Sequence, residues 1–238
     1  MSFPTAERVS IDVDATTCVS GLLLAPADAH ACFVFGHGAG AGMEHPGMSA
    51  VANDLATLGI ATLRYQFPYM ERRSKRPDLP TVCHATVRAA VSTAARLAPG
   101  LPRFAGGRSF GGRMTSQAQA LAPLDGVLGL AFLAFPLHPA GRPAEERARH
   151  LADVKIPMLF LQGTRDELAR LDLIEAVAGR LGPLATLKLL PEADHSFHVP
   201  ARTGRKDQDV RMEALQELAA WAQRLSRGSA ATHGERMR

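Results

Sequence analysis

Ser109 lies in a stretch of the sequence whose spacing suits nucleophilic chemistry. Gly107-Arg108-Ser109-Phe110-Gly111 fits the pattern G-x-S-x-G, in which a sharp turn between a strand and a helix presents a serine hydroxyl above a sheet. Glycines are needed because the turn is strained and its neighbours crowd it. The pattern alone is a weak signal, so its position between a predicted strand and a predicted helix carries most of the weight. The alternative is a glycine-rich turn with an idle serine.

The side chain of a serine is a weak nucleophile and needs a base that a carboxylate orients. On turns of this kind the residues follow the chain order serine, acid, histidine, and the last two come after later strands. Asp166 follows the predicted strand that ends at Leu161, and His195 follows the one that ends at Leu190. We therefore expect Ser109, Asp166 and His195 to form a catalytic triad.

Three neighbouring residues compete for the acid and base positions. Glu167 lies one residue further from its strand than Asp166, and Asp194 adjoins His195, where backbone geometry disfavours it as a partner. His198 is the competitor for the base. His195 and His198 could also form a metal-binding H-x-x-H pair, but no third ligand lies nearby in the sequence. We predict neither a metal nor an organic cofactor.

A glycine-rich loop after an earlier predicted strand could stabilise the reacting oxygen. A tetrahedral intermediate carries negative charge on that oxygen, and preorganised backbone N–H groups bind it. Phe110, the residue after the nucleophile, provides one donor, and the loop His37-Gly38-Ala39-Gly40 can provide the other. We expect the N–H groups of Ala39 and Phe110 to form an oxyanion hole, with His37 bracing the loop rather than acting as a base.

The same loop permits a second interpretation, as part of an NADP-binding module. Gly36-His37-Gly38-Ala39-Gly40-Ala41 fits the looser pattern G-x-G-x-x-G/A after a strand, which is typical of dinucleotide-binding folds. The next strand ends near Arg64, whose charge would suit the cofactor's phosphate. Against this interpretation, a ribose-binding acid is absent there and two strands precede the motif. It also leaves the serine motif and the later acid and histidine unexplained.

The elements that must position these residues alternate along the chain. Short apolar runs bounded by turn residues predict strands, and longer segments with apolar residues at helical spacing predict helices. Such alternation requires parallel pairing through crossover helices. The predicted strands span 8–13, 17–24, 31–35, 60–63, 103–105, 126–132, 157–161 and 186–190, and the helices 48–58, 81–97, 111–120, 172–181 and 207–225.

This order of elements predicts an α/β fold. We expect a three-layer α/β/α sandwich around a mostly parallel sheet of about seven to eight strands. No repeat or Pro/Ser-rich linker divides the chain, so we predict one domain over residues 1–227 and a frayed tail over 228–238. The segment 134–156 contains Pro136, Pro139 and Pro143 and is too short and broken for a helical cap domain with its own core.

The composition excludes several classes of protein. Of 238 residues, 46% are hydrophobic and 21% are charged, as in chains with a sizeable core and unlike disordered or collagen-like ones. The apolar run 126–137 is too short to cross a bilayer, which needs about 20 residues, and the N-terminus lacks a signal-peptide pattern. The three cysteines form no CxxC pair, so a redox dithiol is not indicated. We expect a cytoplasmic protein with no membrane partner.

The distribution of charge argues against a nucleic-acid partner. The formal net charge is +4, and the dense basic cluster has no interleaved aromatic residues; it consists of Arg72, Arg73, Lys75 and Arg76. Nucleic-acid binding needs a broader basic stripe. The cluster is therefore either a solvated loop or a rim that attracts anions.

In these motifs the sequence resembles the α/β-hydrolase superfamily over nearly its whole length. More narrowly, it is similar to a compact, lidless branch near the dienelactone hydrolases, which includes bacterial relatives of a eukaryotic histone-acetyltransferase-complex subunit. The resemblance implies Ser109 as nucleophile, Asp166 as acid and His195 as base. The matching segments are His37-Gly38-Ala39-Gly40-Ala41-Gly42-Met43 with His45-Pro46, Arg64-Tyr65-Gln66-Phe67-Pro68-Tyr69, Gly106-Gly107-Arg108-Ser109-Phe110-Gly111-Gly112, Pro136-Leu137-His138-Pro139, Gln162-Gly163-Thr164-Arg165-Asp166 and Asp194-His195-Ser196-Phe197.

Together these features predict a serine hydrolase that cleaves carboxylic esters of small molecules through an acyl-enzyme. Residues that follow strands could form the walls of the substrate site, and ordinary packing is the alternative for each of them. They are Met43, Phe67, Tyr69, Leu137 and Phe197. Because the eukaryotic relatives act as complex subunits, the main alternative function is that of a catalytically silent interaction protein with the same fold.

Overall fold

The fold is built on a central eight-stranded sheet. A computed structural model describes residues 5–236, with side chains as far as residue 228. The strands are Glu7–Asp12 (β1), Cys18–Leu24 (β2), Ala31–Gly36 (β3), Ile60–Tyr65 (β4), Arg103–Arg108 (β5), Val127–Leu133 (β6), Met158–Gly163 (β7) and Ala185–Leu190 (β8). They lie in the order β1-β2-β4-β3-β5-β6-β7-β8. Neighbours from β4 across to β8 pair in parallel, whereas β2 is antiparallel to both β1 and β4.

Helices cover both faces of this sheet. They are Pro46–Thr57 (α1), Pro68–Glu71 (α2), Pro80–Leu97 (α3), Phe110–Leu121 (α4), Leu171–Leu181 (α5) and Asp207–Arg236 (α6), with short 3-10 helices at Glu146–Asp153, Gly182–Leu184 and Ala201–Thr203. Apolar residues of α3, α4 and α5 form the core on one face, and those of α1 and α6 form the core on the other. Within the described residues, no helix has both the length and the apolar character that a membrane span requires.

The central strand β3 contributes apolar side chains to both cores. All of its residues are buried, as expected for a parallel strand covered on both faces. Because successive side chains point to opposite faces, Cys32 and Val34 enter the core beneath α3–α5. Phe33 and Phe35 enter the core beneath α1 and α6.

The predicted fold class is confirmed, with differences at the ends of elements. β5 continues to Arg108 rather than stopping at residue 105, and α2 was not predicted. α6 extends to Arg236, beyond the predicted end at residue 225. The side chains from residue 229 onward lie outside the described part of the chain, so the predicted domain boundary and frayed tail stay predictions.

The prediction that no cap domain is present is also confirmed. The segment between β6 and β7, which the structure describes in full, contains turns and the 3-10 helix Glu146–Asp153. Nothing in it forms a second layer above the sheet with its own core.

The carboxyl ends of the parallel strands place the candidate residues together. β3 and β5 pair at that edge through Gly36 and Gly107, and β7 and β8 pair there through Gly163 and Leu190. The glycine-rich loop, the serine turn and the loops of the predicted acid and base all leave the sheet at this edge. In open α/β sheets this is where ligands bind.

Candidate active site

Ser109 lies in a sharp turn between β5 and α4. Its φ is 49° and its ψ is −111°, a conformation that residues other than glycine rarely adopt. The Ser109 N–H donates to the Leu133 carbonyl (3.0 Å), and the Ser109 carbonyl accepts from the Arg113 N–H (3.1 Å). These two hydrogen bonds hold the strained backbone that the sequence pattern predicts.

Two glycines allow the segments around this turn to approach one another. A Cβ atom at Gly107 would lie 2.5 Å from the Gly36 carbonyl oxygen, and one at Gly111 would lie 2.4 Å from the same oxygen. Both separations are far below an ordinary van der Waals contact. β5, the end of β3 and the first turn of α4 can therefore pack together only because these positions carry no side chain.

A continuous chain of hydrogen bonds joins Ser109, His195 and Asp166. The distance from Ser109 Oγ to His195 Nε2 is 2.8 Å, and that from His195 Nδ1 to Asp166 Oδ2 is also 2.8 Å. The Asp166 side chain is fully buried, whereas that of His195 is 23% exposed. The three predicted residues are thus brought together in the order that an activated serine needs.

The buried Asp166 carboxylate has donors on both of its oxygens. Oδ1 accepts from the Leu168 N–H (2.8 Å), and Oδ2 accepts from Gln162 Nε2 as well as from His195 Nδ1. Gln162 is held in turn, because its Oε1 accepts from the Phe135 N–H (2.9 Å). A buried charge without such partners would be strongly destabilising. With them, the carboxylate is fixed facing the imidazole.

The residues that compete with Asp166 and His195 have other environments. Glu167 is exposed, and the Asp194 carboxylate accepts from two N–H groups of its own turn, at 2.6 and 3.0 Å. The His198 imidazole faces Asp207, with Nδ1 and Oδ2 2.9 Å apart, and this hydrogen bond raises the pKa of His198. The two histidines therefore face different partners. Within the described residues, no group of three His, Cys, Asp or Glu side chains could hold a metal ion.

Two of the backbone N–H groups that have no acceptor among the described residues belong to segments that adjoin Ser109. One belongs to Phe110, the first residue of α4, where the free N–H groups and the helix dipole favour negative charge. The other belongs to Ala39, in the loop after β3. A Cβ atom at its neighbour Gly38 would lie 4.0 Å from the Ser109 Cβ, so this loop packs directly against the serine. These are the two donors expected from the sequence.

His37 braces that loop, as predicted. Its Nδ1–H donates to the Gly38 carbonyl (2.8 Å), and its Nε2 accepts from the Phe67 N–H (3.1 Å). Burial lowers the pKa of the imidazole to about 4, so the ring is neutral near pH 7 and one nitrogen can donate while the other accepts. The loop after β3 is therefore tied to the loop after β4.

The side chains predicted to form the walls of the substrate site are packed in the interior. They are Met43, Phe67, Tyr69, Leu137 and Phe197, each at most 2% exposed. Two of them contact the glycine-rich loop: the Tyr69 hydroxyl accepts from the Gly40 N–H (3.4 Å), and the Phe67 ring packs edge-on against the His37 ring. Their burial favours ordinary packing, and a role in binding substrate stays a prediction.

An open cavity of about 420 Å³ borders the exposed side of His195. Most of its lining residues are of charged or polar type; they are Arg165, Glu167, Leu168, Asp194, His195, His198 and Pro200. A larger cavity of about 490 Å³ lies between the 3-10 helix Glu146–Asp153 and α5, and it contains none of the predicted site residues. The smaller cavity is the better candidate for a substrate site because His195 is one of its lining residues, although Ser109 is not.

Three residues near the site lie in the motif segments but were given no role from the sequence. Gln162 supports the acid, as described above, and Arg108 Nη2 donates to the His195 carbonyl (3.0 Å). His138 repeats the arrangement of His37: its Nδ1–H donates to the Pro139 carbonyl, and its Nε2 accepts from the Arg170 N–H (3.1 Å). Their polar character within apolar or glycine-rich segments is the signal that could have singled them out.

Comparison with known proteins agrees with this architecture. A family model described as an alpha/beta hydrolase domain matches residues 29–223. A solved dienelactone hydrolase from Anabaena variabilis superposes with a TM-score of 0.72 at 22% sequence identity, over 92% of this chain and 97% of that one. A lidless α/β serine hydrolase from Xanthomonas campestris gives 0.70 at 22% identity, over 91% and 95% of the two chains. An α/β serine hydrolase homologue from Coxiella burnetii gives 0.72 at 18% identity, over 92% and 100%.

At these identities the solved structures show a shared fold, and they confirm the predicted resemblance to compact, lidless proteins. The family match is a separate observation, because it extends from before β3 into α6 and so includes the serine turn and the loops of the acid and the histidine. The chain belongs to the alpha/beta hydrolase domain family.

Proposed function

We propose that the protein is a serine hydrolase that cleaves carboxylic esters of small molecules through an acyl-enzyme. The observation that carries this proposal is the hydrogen-bonded chain from Ser109 through His195 to Asp166, with both distances at 2.8 Å. The strained turn at Ser109 supports the same chemistry, as do the N–H groups of Phe110 and Ala39, which have no acceptor among the described residues. Membership of the alpha/beta hydrolase domain family is consistent with it.

In the first half of the reaction, Ser109 is the nucleophile. Its Oγ attacks the carbonyl carbon of the ester while its proton passes to His195 Nε2. Asp166 accepts the Nδ1–H of His195, which fixes the tautomer and stabilises the imidazolium that forms. The N–H groups of Ala39 and Phe110 bind the negative oxygen of the tetrahedral intermediate. When that intermediate collapses, the bond to the alcohol oxygen breaks and the alcohol takes the proton from His195.

In the second half, water takes the place of the alcohol. His195 Nε2, neutral again, accepts a proton from a water molecule whose oxygen attacks the acyl carbon. The new tetrahedral intermediate collapses, the proton returns to Ser109 Oγ, and the carboxylic acid leaves. The partly exposed His195 side chain borders an open cavity, which gives water a path to the imidazole. Protons and charge balance with the ester and water alone.

Covalent labelling tests the assignment of the nucleophile. A fluorophosphonate should add a single group to the wild-type chain, measured by intact mass. Ser109→Ala should abolish this labelling and should lower kcat on a short-chain ester by about 10⁴- to 10⁶-fold, as in other serine triads. The thermal unfolding of the variant should show that the fold is kept.

Ser116, on the helix α4 that follows Ser109, offers a matched control. Its Oγ lies 2.7 Å from His150 Nε2, so it also pairs with a histidine, yet it is fully buried. Ser116→Ala should be labelled like the wild type. Labelling that survives in Ser109→Ala but disappears in Ser116→Ala would contradict the proposal.

The same measurements separate the alternatives. A wild-type chain that neither reacts with the fluorophosphonate nor hydrolyses a panel of esters and lactones would favour an interaction protein on a hydrolase fold. The NADP-binding interpretation gains no support from the fold, because the glycine motif would have to open a helix directly. In this chain α1 begins only at Pro46.

A further inference from the structure

Arg108 connects the serine turn to the loop that carries the histidine. It is the last residue of β5 and immediately precedes Ser109. Its Nη2 donates to the His195 carbonyl oxygen at 3.0 Å, across 87 positions of sequence. Its guanidinium carbon lies 5.7 Å from the centroid of the Phe197 ring. The planar group thus contacts the loop at two points, by a hydrogen bond and by stacking on an aromatic face.

The loop that receives Arg108 is tightly turned. Phe197 has a φ of 63°, which is unusual for a bulky residue, and the Asp194 N–H donates to the His198 carbonyl at 3.0 Å. Strained backbone persists only where its surroundings determine it strongly. A hydrogen bond to the His195 carbonyl fixes the peptide from which the imidazole projects.

The charge of Arg108 is balanced by the same loops. Burial lowers the pKa of its guanidinium, and the carboxylates of Asp194 and Asp166 oppose that effect. Two nearby carboxylates offset part of the hydration free energy that a cation loses on burial. Because these carboxylates belong to the loops after β7 and β8, Arg108 lies where the nucleophile, the acid and the base converge.

We infer that Arg108 is a positioning residue that holds the His195 imidazole at reaction distance from Ser109. This inference rests on the proposed function. The guanidinium is engaged by the His195 carbonyl and the Phe197 ring, so it acts on the reaction through the histidine rather than through substrate. A misplacement of about 1 Å at a reacting group can lower a rate by about 100-fold. Losing the contact should therefore lower kcat and leave KM nearly unchanged.

Substitution with chemical rescue tests this inference. In Arg108→Ala, kcat should fall by about 10- to 100-fold, with little change in KM. Guanidinium chloride well below denaturing concentrations should restore part of kcat, because the free ion can occupy the vacated site and donate to the His195 carbonyl. A variant that is impaired only in folding would not recover in this way. Arg108→Lys keeps the charge but lacks the planar fork, so its kcat should lie between those of Arg108→Ala and the wild type.

Arg103 provides a matched control, since it is an arginine at the opposite end of the same strand. Arg103→Ala should keep the wild-type kcat and should not respond to guanidinium. A folded Arg108→Ala with wild-type kcat would overturn the inference, as would a loss of kcat that guanidinium leaves unchanged. If Arg108→Ala does not fold, Arg108→Lys decides: a reduced kcat at constant KM supports the inference, and a wild-type kcat overturns it. Failure of the wild-type chain to react with the fluorophosphonate would instead overturn the proposed function.

Discussion

At the scale of single residues, each hydrogen bond to Asp166 has a distinct consequence. The carboxylate accepts from His195 Nδ1, Gln162 Nε2 and the Leu168 N–H. The first keeps the Nδ1 proton on the acid's side of the ring, which leaves Nε2 free to accept from the serine. The other two occupy further lone pairs of a buried charge and restrict its rotation. Gln162 thus supports the acid in the way that Arg108 supports the base.

Removing the charge of Asp166 tests the acid directly. Asp166→Asn should lower kcat by about 10⁴-fold, because a neutral amide lets the imidazole adopt the wrong tautomer and does not stabilise the imidazolium. Glu167→Gln is the control, since this exposed neighbour should be dispensable for turnover. Steady-state kinetics on a short-chain ester measure both variants. An equal loss in the two would show that the acid has been assigned wrongly.

At the scale of elements, buried histidines tie loops together at the edge of the sheet. His37 joins the loop after β3 to the one after β4, and His138 joins the segment after β6 to the start of α5. In each histidine ring one nitrogen donates and the other accepts. Protonation of His37 would turn its accepting nitrogen into a donor and break the contact between the two loops.

The stability of the fold should therefore depend on the charge of His37. Its pKa in the folded protein is about 4, below the ordinary 6.5, so the unfolded chain binds a proton first as the pH falls. The contribution of the neutral ring to the free energy of unfolding is complete above pH 6.5 and is lost as the pH falls toward 4. It amounts to about 3 kcal/mol at most. Urea unfolding at a series of pH values measures it.

A pair of variants isolates this contribution. His37→Gln should flatten the dependence of unfolding free energy on pH, and His30→Gln, at an exposed histidine, is the matched control. Burial also lowers the pKa of His150 to about 4, so the slope should be reduced in His37→Gln rather than abolished. A slope equal to that of the wild type would contradict the assignment.

Elements with a clear hydrophobic period could be predicted from the sequence, whereas the end of β5 could not. Its glycines Gly106 and Gly107 have low strand propensity, so the predicted strand ends before them. In the structure they pair with β3 on one side and β6 on the other, and this tertiary pairing overrides the local preference. α2 was missed because four residues are too few to show a helical period.

The same distinction applies to the candidate site. The residue types and chain order of Ser109, Asp166 and His195 could be predicted because each follows a strand and their chemistry is complementary. The supporting contact of Arg108 could not, because its partner lies 87 positions away. Its place in a glycine-rich segment singles it out as a polar residue, but nothing local indicates which residue it contacts.

At the scale of the whole molecule, the site is open. The chain between β6 and β7 forms a 3-10 helix and turns rather than a cap. The cavity of about 420 Å³ beside His195 is open to solvent, and most of its lining residues are of charged or polar type. Without a cap, little of a long acyl chain can be enclosed, so the gain in binding energy per added methylene should end early.

Substrate length tests this description of the molecule. We expect kcat/KM on p-nitrophenyl esters to be highest at two to about four acyl carbons. No jump in rate is expected where substrate forms micelles, because there is no lid to open. Initial rates across a series of chain lengths, below and above the micellar threshold, measure both. A preference for chains of about twelve carbons or more would show that the loops enclose a longer site.

The close contacts at Gly107 and Gly111 also constrain how the gene can change. Any substitution at the first or second base of a glycine codon adds a side chain or ends the chain, and a Cβ atom at either position would collide with the Gly36 carbonyl oxygen. Substitutions at these two bases of either codon are therefore not tolerated while the fold is kept. The serine between them is under no such steric limit. A related protein that had lost the catalytic activity and functioned only in binding should still carry both glycines, because the turn requires them.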